Sequence, residues 1–386
     1  MADRFCSLEA GVFARIDRAK QAARDRGLDL IDLSLGSTDQ LPPPATTAAI
    51  AAAVPRADSA AYCLHAATGP CREAIAAWVS RRFDVAVDPD RQVLLLVGSQ
   101  EGTAHLPLAV LNPGDHALVL DPGYPSHRGG LALAAAQVQR LTLRQEDGWR
   151  PRWQQLSPLQ LRQLRLMVLG YPHNPTATTG QQSWVDEAAA LCAAHGIVLA
   201  HDNPYVDLAL DGEAPALLRS PHWQRCGIEF FSFSKSWCLG GFRIAFAVGA
   251  EPLIAALRNI KGFIDFNQSL AIQAGAVAAL EQAPDWPTRL RMLYRHRRDH
   301  MVQALAGQGW PLATPGMALY LWDRLPAGEQ RDSLRFCLDL VRDTGVALTP
   351  GSGFGAAGEG YVRLALVHEL PRLEEAAARI GHWLRS

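Results

Sequence analysis

Neither sign of charge is in excess along this chain: 37 Lys and Arg stand against 38 Asp and Glu, a net charge of −1 over 386 residues. Nucleic-acid binders carry a basic excess or stripe that neutralises phosphates, so that class is not expected. Paired cysteines are lacking as well. The seven cysteines (Cys6, Cys63, Cys71, Cys192, Cys226, Cys238, Cys337) are scattered, odd in number and without a CxxC spacing. This argues against a disulfide framework or structural zinc, and for free thiols in a reducing cytosol. No apolar run approaches the roughly 18 residues of a membrane span. The opening MADRFCSLEAGVFARIDRAKQAARDRG is charged from its third residue and has helical periodicity in place of a signal-peptide apolar core. The expectation is a soluble cytoplasmic protein. Internal repeats, low-complexity tracts and long charge runs are absent too.

What the chain does have is apolar residues, 48% of the total, with only 19% charged. That composition supports a broad interior or a sizeable subunit interface, and the length suggests two or three domains' worth of chain. Short β-rich runs recur in the middle: QVLLLVG (92–98), HALVLD (116–121), QVQRLTL (137–143), RLMVLGYP (165–172), GIVLAHD (196–202), IEFFSFSK (228–235) and RIAFAVG (243–249). Between several of them lie helical stretches at 100–111, 126–135, 153–163 and 181–195. Alternation of this kind predicts βαβ units and a mostly parallel sheet covered by helices on both faces. Long helices are expected over 251–262, 266–282 and 286–307. A smaller α+β unit then follows, with strands at 317–322, 346–349 and 361–366 and helices at 330–343 and 370–384. IDLSLGSTDQLPPP (31–44) reads as a strand breaking into a Pro-rich connector. The expected division is an arm with part of the small domain (1–45), a large domain (46–285) and a small C-terminal domain (286–386).

Open α/β sheets bind ligands outside the carboxyl ends of their strands, so the residues following each run carry the information. These are Ser99 and Gln100; Tyr124; His173 and Asn174; Asp202 and Tyr205; and Ser232, Ser234 and Lys235, with Arg243 eight residues on. Each taken alone has a plain structural reading. A strand-end lysine is usually solvated, Asp202 and Asn174-Pro175 suit turns, and an arginine in a half-buried strand is usually an ion-pair residue. Together they gather a lysine, a carboxylate, an amide, two phenols, hydroxyls and an arginine on one sheet edge. Pyridoxal phosphate chemistry needs such a set. A lysine forms the Schiff base, a carboxylate keeps the pyridinium protonated, and a helix start with hydroxyls and an arginine takes the phosphate.

YPHNPTA, HDNPY, SFSKSWCLGGFR and GYVRLAL resemble, in order and spacing, the motifs of fold-type I, class I/II pyridoxal-phosphate-dependent aminotransferases, over about Gly36 to Arg363. The resemblance implies Lys235 as the Schiff-base lysine and proton carrier, and Asp202 as the pyridinium partner. Asn174 and Tyr205 bond the ring oxygen, and Tyr124 stacks on the ring. Ser99, Gln100, Ser232, Ser234 and Arg243 hold the phosphate. Arg363 clamps the substrate α-carboxylate, Gly36 lets the backbone approach the substrate, and Tyr62 reaches the phosphate of a neighbouring subunit's cofactor. It further implies a homodimer with shared sites that moves an amino group between an amino acid and a 2-oxo acid. The overall style points to the aspartate and diaminopimelate neighbourhood. Ala177 and Asn203 depart from the family's usual Gly and Glu, and neither is expected to touch the chemistry.

Other motifs fail on context. Gly353-Phe354-Gly355-Ala356-Ala357-Gly358 fits GxGxxG, but a β-patterned run follows it where a dinucleotide site needs a helix. Ser232-x-x-Lys235 lacks the companion motifs of serine acyl-enzymes. His296 and His300 sit among Arg295, Arg297 and Arg298, which reads as a solvated basic face, so no metal is expected. Two rival functions use the same cofactor: a carbon–sulfur β-lyase, and a non-enzymatic sensor domain whose DNA-binding module does not fit into the 35 or so residues before the first motif.

Overall fold

The computed structural model describes residues 11–317 and 319–386; Cys6 and the first ten residues of the N-terminal helical reading lie outside the described residues. A helix covers Gly11–Asp25. Twelve strands follow in chain order. β1 (Ile31–Asp32) precedes β2 (Val93–Leu96), β3 (His116–Asp121), β4 (Gln137–Thr142), β5 (Leu164–Leu169), β6 (Val198–Asp202), β7 (Gly227–Ser232) and β8 (Ala245–Gly249). The last four are β9 (Tyr320–Arg324), β10 (Val346–Ala347), β11 (Thr349–Pro350) and β12 (Tyr361–Ala365).

The fold is α/β. A seven-stranded sheet runs β2-β8-β7-β6-β5-β3-β4, with only β8 antiparallel to its neighbours. Apart from β4, whose QVQRLT is mostly exposed, its strands are largely apolar without alternation because both faces are covered: VLLL of β2 is buried at every position. One face packs with Trp78, Phe231 and Phe246, and the other with Leu106, Leu131 and Phe230. A second core gathers around helix Trp286–Gly307 and the antiparallel sheet β11-β12-β9. β1 joins this second core by pairing in parallel with β10, Ile31 opposite Val346. The six described cysteines are buried free thiols. No described helix is long and apolar enough to cross a membrane.

Several readings change. The run expected as strand to Lys235 stops at Ser232, whose hydroxyl accepts a hydrogen bond from the Ser234 amide and starts a one-turn helix, Phe233–Ser236. The helix expected over 153–163 splits at Ser157, which caps a short helix, Pro158–Gln163. The strand expected at 317–322 begins three residues later, at Tyr320.

The basic face at 295–300 is solvated only in part: Arg295 and His296 are exposed, but the other two arginines are not. Arg297 is fully buried and Arg298 nearly so. Arg297 makes a two-pronged bond to Asp39 (2.8 and 2.9 Å) and also donates to Glu369 and the Leu366 carbonyl. A guanidinium so placed fixes the 37–44 loop from below. GFGAAG folds as two 3-10 turns before β12, with no helix after it.

Candidate active site

Strand order reverses between β3 and β5, since β4 lies outside β3 while β6, β7 and β8 run the other way. At such a switch the loops leaving two adjacent strands part and leave a crevice. A cavity of about 310 Å³ occupies it. Gly123 and Tyr124 line it from the end of β3, Asn174 from the end of β5, and Asp202 and Tyr205 from the end of β6. Ser232, Ser234 and Lys235 come from the end of β7, with Arg243 just before β8. Ser99 and Gln100 open the helix Ser99–Val110 after β2, while Gly36 and Arg363 close the cavity from the side of the second core. The structure thus brings together every site residue expected from the sequence except Tyr62. Tyr62 lies outside this cavity, 84% exposed, its ring 5.8 Å from that of Phe266.

The chain has three lysines. Lys20 is paired with Asp17 and Asp32, and Lys261 with Glu101 and Asp265. Lys235 alone faces the cavity, where it donates to the Gly36 carbonyl oxygen. Burial, with the Arg363 and Arg243 cations adding to it, holds this amine below its ordinary value, against the opposing pull of Tyr320. An amine so placed is neutral closer to pH 7 and can carry a proton.

Asp202 is buried. One carboxylate oxygen lies 3.0 Å from His127 Nε2, and the other, Oδ1, has no hydrogen-bond partner. A buried carboxylate oxygen without a donor is costly and calls for a cationic or N–H partner. Arg363 donates to Asn174 Oδ1 (2.8 Å) and to the Ser34 carbonyl (3.1 Å), and its Nε is buried and unpaired. Its guanidinium carbon lies 4.2 Å from the Tyr320 ring centre and 4.9 Å from that of Phe354. At the helix start, Gly98 has φ 83°, and a Cβ there would run into the Arg243 guanidinium. That glycine lets the arginine lie against the amide end of the helix, a place suited to an anion. His173, buried beside His127, is pushed down to about 3 and is therefore a neutral ring, bonded to Thr176.

The class I and II aminotransferase profile matches residues 29–380. The chain belongs to that family. It is a pyridoxal-phosphate-dependent transaminase, and the residues present fit the cofactor: a single cavity lysine, an orphaned carboxylate oxygen in the same cavity and a helix start suited to an anion. An LL-diaminopimelate aminotransferase of Nitratidesulfovibrio vulgaris is 35% identical over 99% of this chain and 98% of its own length. The glutamate-pyruvate aminotransferase AlaC of Escherichia coli is 33% identical over 97% of this chain and 94% of its own. A solved structure of a probable N-succinyldiaminopimelate aminotransferase from Thermus thermophilus superposes with a TM-score of 0.92 at 42% identity, covering 96% of this chain and all of that one. Neither the carbon–sulfur lyase nor the sensor domain is favoured by these likenesses.

Three cavity or near-cavity residues escaped the sequence reading. His127 follows Tyr124 by three residues in DPGYPSH (121–127), and that spacing on a helix start was the available signal. Tyr320 comes from the second core and no motif marked it, whereas Phe354 packs with Trp322 and Tyr361 in the first core and lay inside the rejected GxGxxG run. Glu101, His105 and Asp265 cluster tightly enough to ligate a metal. Lys261 Nζ, however, lies 2.9–3.1 Å from both carboxylates, so an ammonium already supplies the positive charge.

Gly36 earns its place through space. A Cβ there would overlap the Tyr320 hydroxyl. Gly36→Ala should therefore displace Tyr320, lower stability by about 1–3 kcal/mol in denaturant titration, and lower kcat/KM by about 10- to 100-fold. Wild-type values for both would show that the loop simply shifts aside.

Proposed function

We propose that this transaminase acts on an amino donor of the diaminopimelate type, free or N-succinylated, with a 2-oxo acid as acceptor. The likeness at 42% identity to the Thermus protein carries this reading, joined by that to the Nitratidesulfovibrio protein. A panel of LL-diaminopimelate, its N-succinyl derivative, aspartate, glutamate and alanine, each with 2-oxoglutarate, tests it. The diaminopimelate donors should show the highest kcat/KM; a clear preference for alanine would overturn it.

The site residues take the following parts in this reading. Bound pyridoxal phosphate supplies the electron sink for the charge left when the substrate's α-hydrogen departs as a proton. Lys235 anchors the cofactor, then takes that proton on Nζ and returns it. Asp202 Oδ1 holds the proton of the pyridinium nitrogen, while His127 keeps the carboxylate turned toward it. Asn174 Nδ2 and the Tyr205 hydroxyl donate to the ring oxygen, and Tyr124 covers the ring face. Ser99, Gln100, Ser232, Ser234 and Arg243 receive the phosphate. Arg363 takes the α-carboxylate, which brings an acceptor to its unpaired Nε.

Arg363→Lys should raise KM for amino donors by the equivalent of about 1.5–3 kcal/mol, because a point ammonium cannot make parallel bonds to a carboxylate. A donor-independent, unchanged KM would remove Arg363 from the site.

We also infer a two-fold dimer. Tyr62, Leu64, Phe263, Ile264 and Phe266 are all exposed, Phe263 at 93%. Asn267 ties the two segments together through the Cys63 carbonyl. An apolar patch of this kind marks a contact surface, and it supports the reading in which a second copy receives Tyr62. Mixing Lys235→Ala with Tyr62→Ala then gives heterodimers with one intact site. At equal concentrations about a quarter of wild-type activity should return, since half the dimers are mixed and each has one good site of two. No gain from demonstrated heterodimers would place Tyr62 outside any shared site.

A further inference from the structure

Tyr320 is the cavity residue with the most connections and no assigned part. It opens β9 and is buried, 2% exposed. Its hydroxyl lies 2.9 Å from the Tyr205 hydroxyl and 3.2 Å from the Gly36 carbonyl oxygen, the same oxygen to which Lys235 donates. Its ring lies against the Arg363 guanidinium at 4.2 Å.

Each phenol brings one hydrogen and can accept others. The pair therefore has two hydrogens to serve three acceptors: the contact between the phenols, the Gly36 carbonyl, and any anionic oxygen that enters the cavity. An ionised acceptor forms a bond about twice as strong as a neutral one. When Tyr205 gives its hydrogen to the charged ring oxygen of the cofactor, the two phenol oxygens still face each other at 2.9 Å. The only hydrogen left to fill that contact is the one on Tyr320. Without it, two lone pairs would meet.

We propose that Tyr320 is a positioning residue with two separable parts: its hydroxyl fixes Tyr205 as a donor toward the cofactor's ring oxygen, and its ring holds the Arg363 guanidinium in place for the substrate carboxylate. This rests on the parts given above to Tyr205 and Arg363. The acidities of the two phenols run the same way. Burial pushes Tyr205 well above its ordinary value. Burial also works to raise Tyr320, but the Arg363 and Lys235 cations bring it below its ordinary value. The more acidic hydroxyl is the better donor, so Tyr320 donates and Tyr205 accepts.

Two variants separate the parts in the holoenzyme. Tyr320→Phe removes the hydroxyl and keeps the ring; Tyr320→Leu removes both. The readouts are the pH midpoint of the cofactor's visible band and KM for an amino donor. A hydroxyl that accepts a hydrogen bond donates more strongly. Loss of the Tyr320 hydroxyl therefore leaves the charge on the ring oxygen less well stabilised, and the proton whose loss changes the colour departs at higher pH. The midpoint should rise by about 0.2–0.6 pH units in Tyr320→Phe. KM should rise about fivefold or more in Tyr320→Leu relative to Tyr320→Phe, the scale of a desolvated cation–π contact.

An unmoved midpoint in Tyr320→Phe overturns the hydroxyl's part, and equal KM in the two variants overturns the ring's. Should the leucine variant fail to fold, Tyr320→Met keeps the bulk without a π face and replaces it. Tyr205→Phe and Arg363→Lys are run alongside. If Tyr205→Phe leaves the midpoint unmoved, or Arg363→Lys leaves KM unmoved, the underlying reading of those residues fails, which is a distinct result.

Discussion

Lys235→Ala should abolish transamination, a loss of about 10⁴-fold or more in kcat, while the fold survives. The side chain's only hydrogen bond is to the Gly36 carbonyl, and its neighbours Phe233, Ser234 and Ser236 keep the one-turn helix buried without it. The visible band should disappear, and borohydride should no longer fix cofactor to the protein. The result is unusually clean because the chain offers few substitutes. Lys20 and Lys261 are each held by two carboxylates away from the cavity. Mass spectrometry of the reduced wild-type protein should therefore place the adduct on the peptide containing Lys235. An adduct on Lys20 or Lys261 in the variant, with turnover retained, would sink the assignment.

How much of this could be read from the chain depended on distance along it. The parallel sheet was legible because most of its strands are short apolar runs bounded by turn residues, and the expected cavity residues sit within five positions of strand ends. The helices Pro44–Ala53 and Gly69–Phe83 were not read. The first, PATTAAIAAA, is Ala-rich with no polar stripe to set its period. Interactions across the chain were invisible. Arg297 looked like one of a row of solvated cations because its partner, Asp39, is 258 residues away. Tyr205 could be placed by its spacing from Asp202, but Tyr320, 115 residues further on, could not. Asn203 illustrates a substitution absorbed elsewhere. It is fully buried, and its amide donates to Glu229, a buried carboxylate that also accepts bonds from His201 and the Leu218 amide. A glutamate at 203 would set a second carboxylate against Glu229, whereas the asparagine supplies a donor.

Asp202→Asn should cost more in rate than in cofactor binding. The aspartate stands at the end of β6 with Oδ2 engaged by His127 and Oδ1 free of any protein donor. Both oxygens of a carboxylate accept, so one can serve the imidazole while the other serves a pyridinium N–H. An amide has one accepting oxygen, and its NH₂ must face either His127 or the ring nitrogen, so one of the two bonds is lost or reversed. The charge is lost in both orientations. Its value lies chiefly where negative charge develops on the substrate's α-carbon and is drawn toward the ring, so its removal acts on the transition state more than on the resting complex. The residues proposed to take the phosphate, Ser99, Gln100, Ser232, Ser234 and Arg243, are separate from Asp202 and should keep most of the binding. We expect kcat to fall by about 10²–10⁴-fold and cofactor affinity by about tenfold or less, one charge-assisted hydrogen bond at most. Stopped-flow measurement of the half-reaction, with cofactor titrated separately into the apo-protein, reads the two effects independently. Normal kcat would mean that another group keeps the ring nitrogen protonated. An affinity loss as large as the rate loss would instead make Asp202 a binding residue alone.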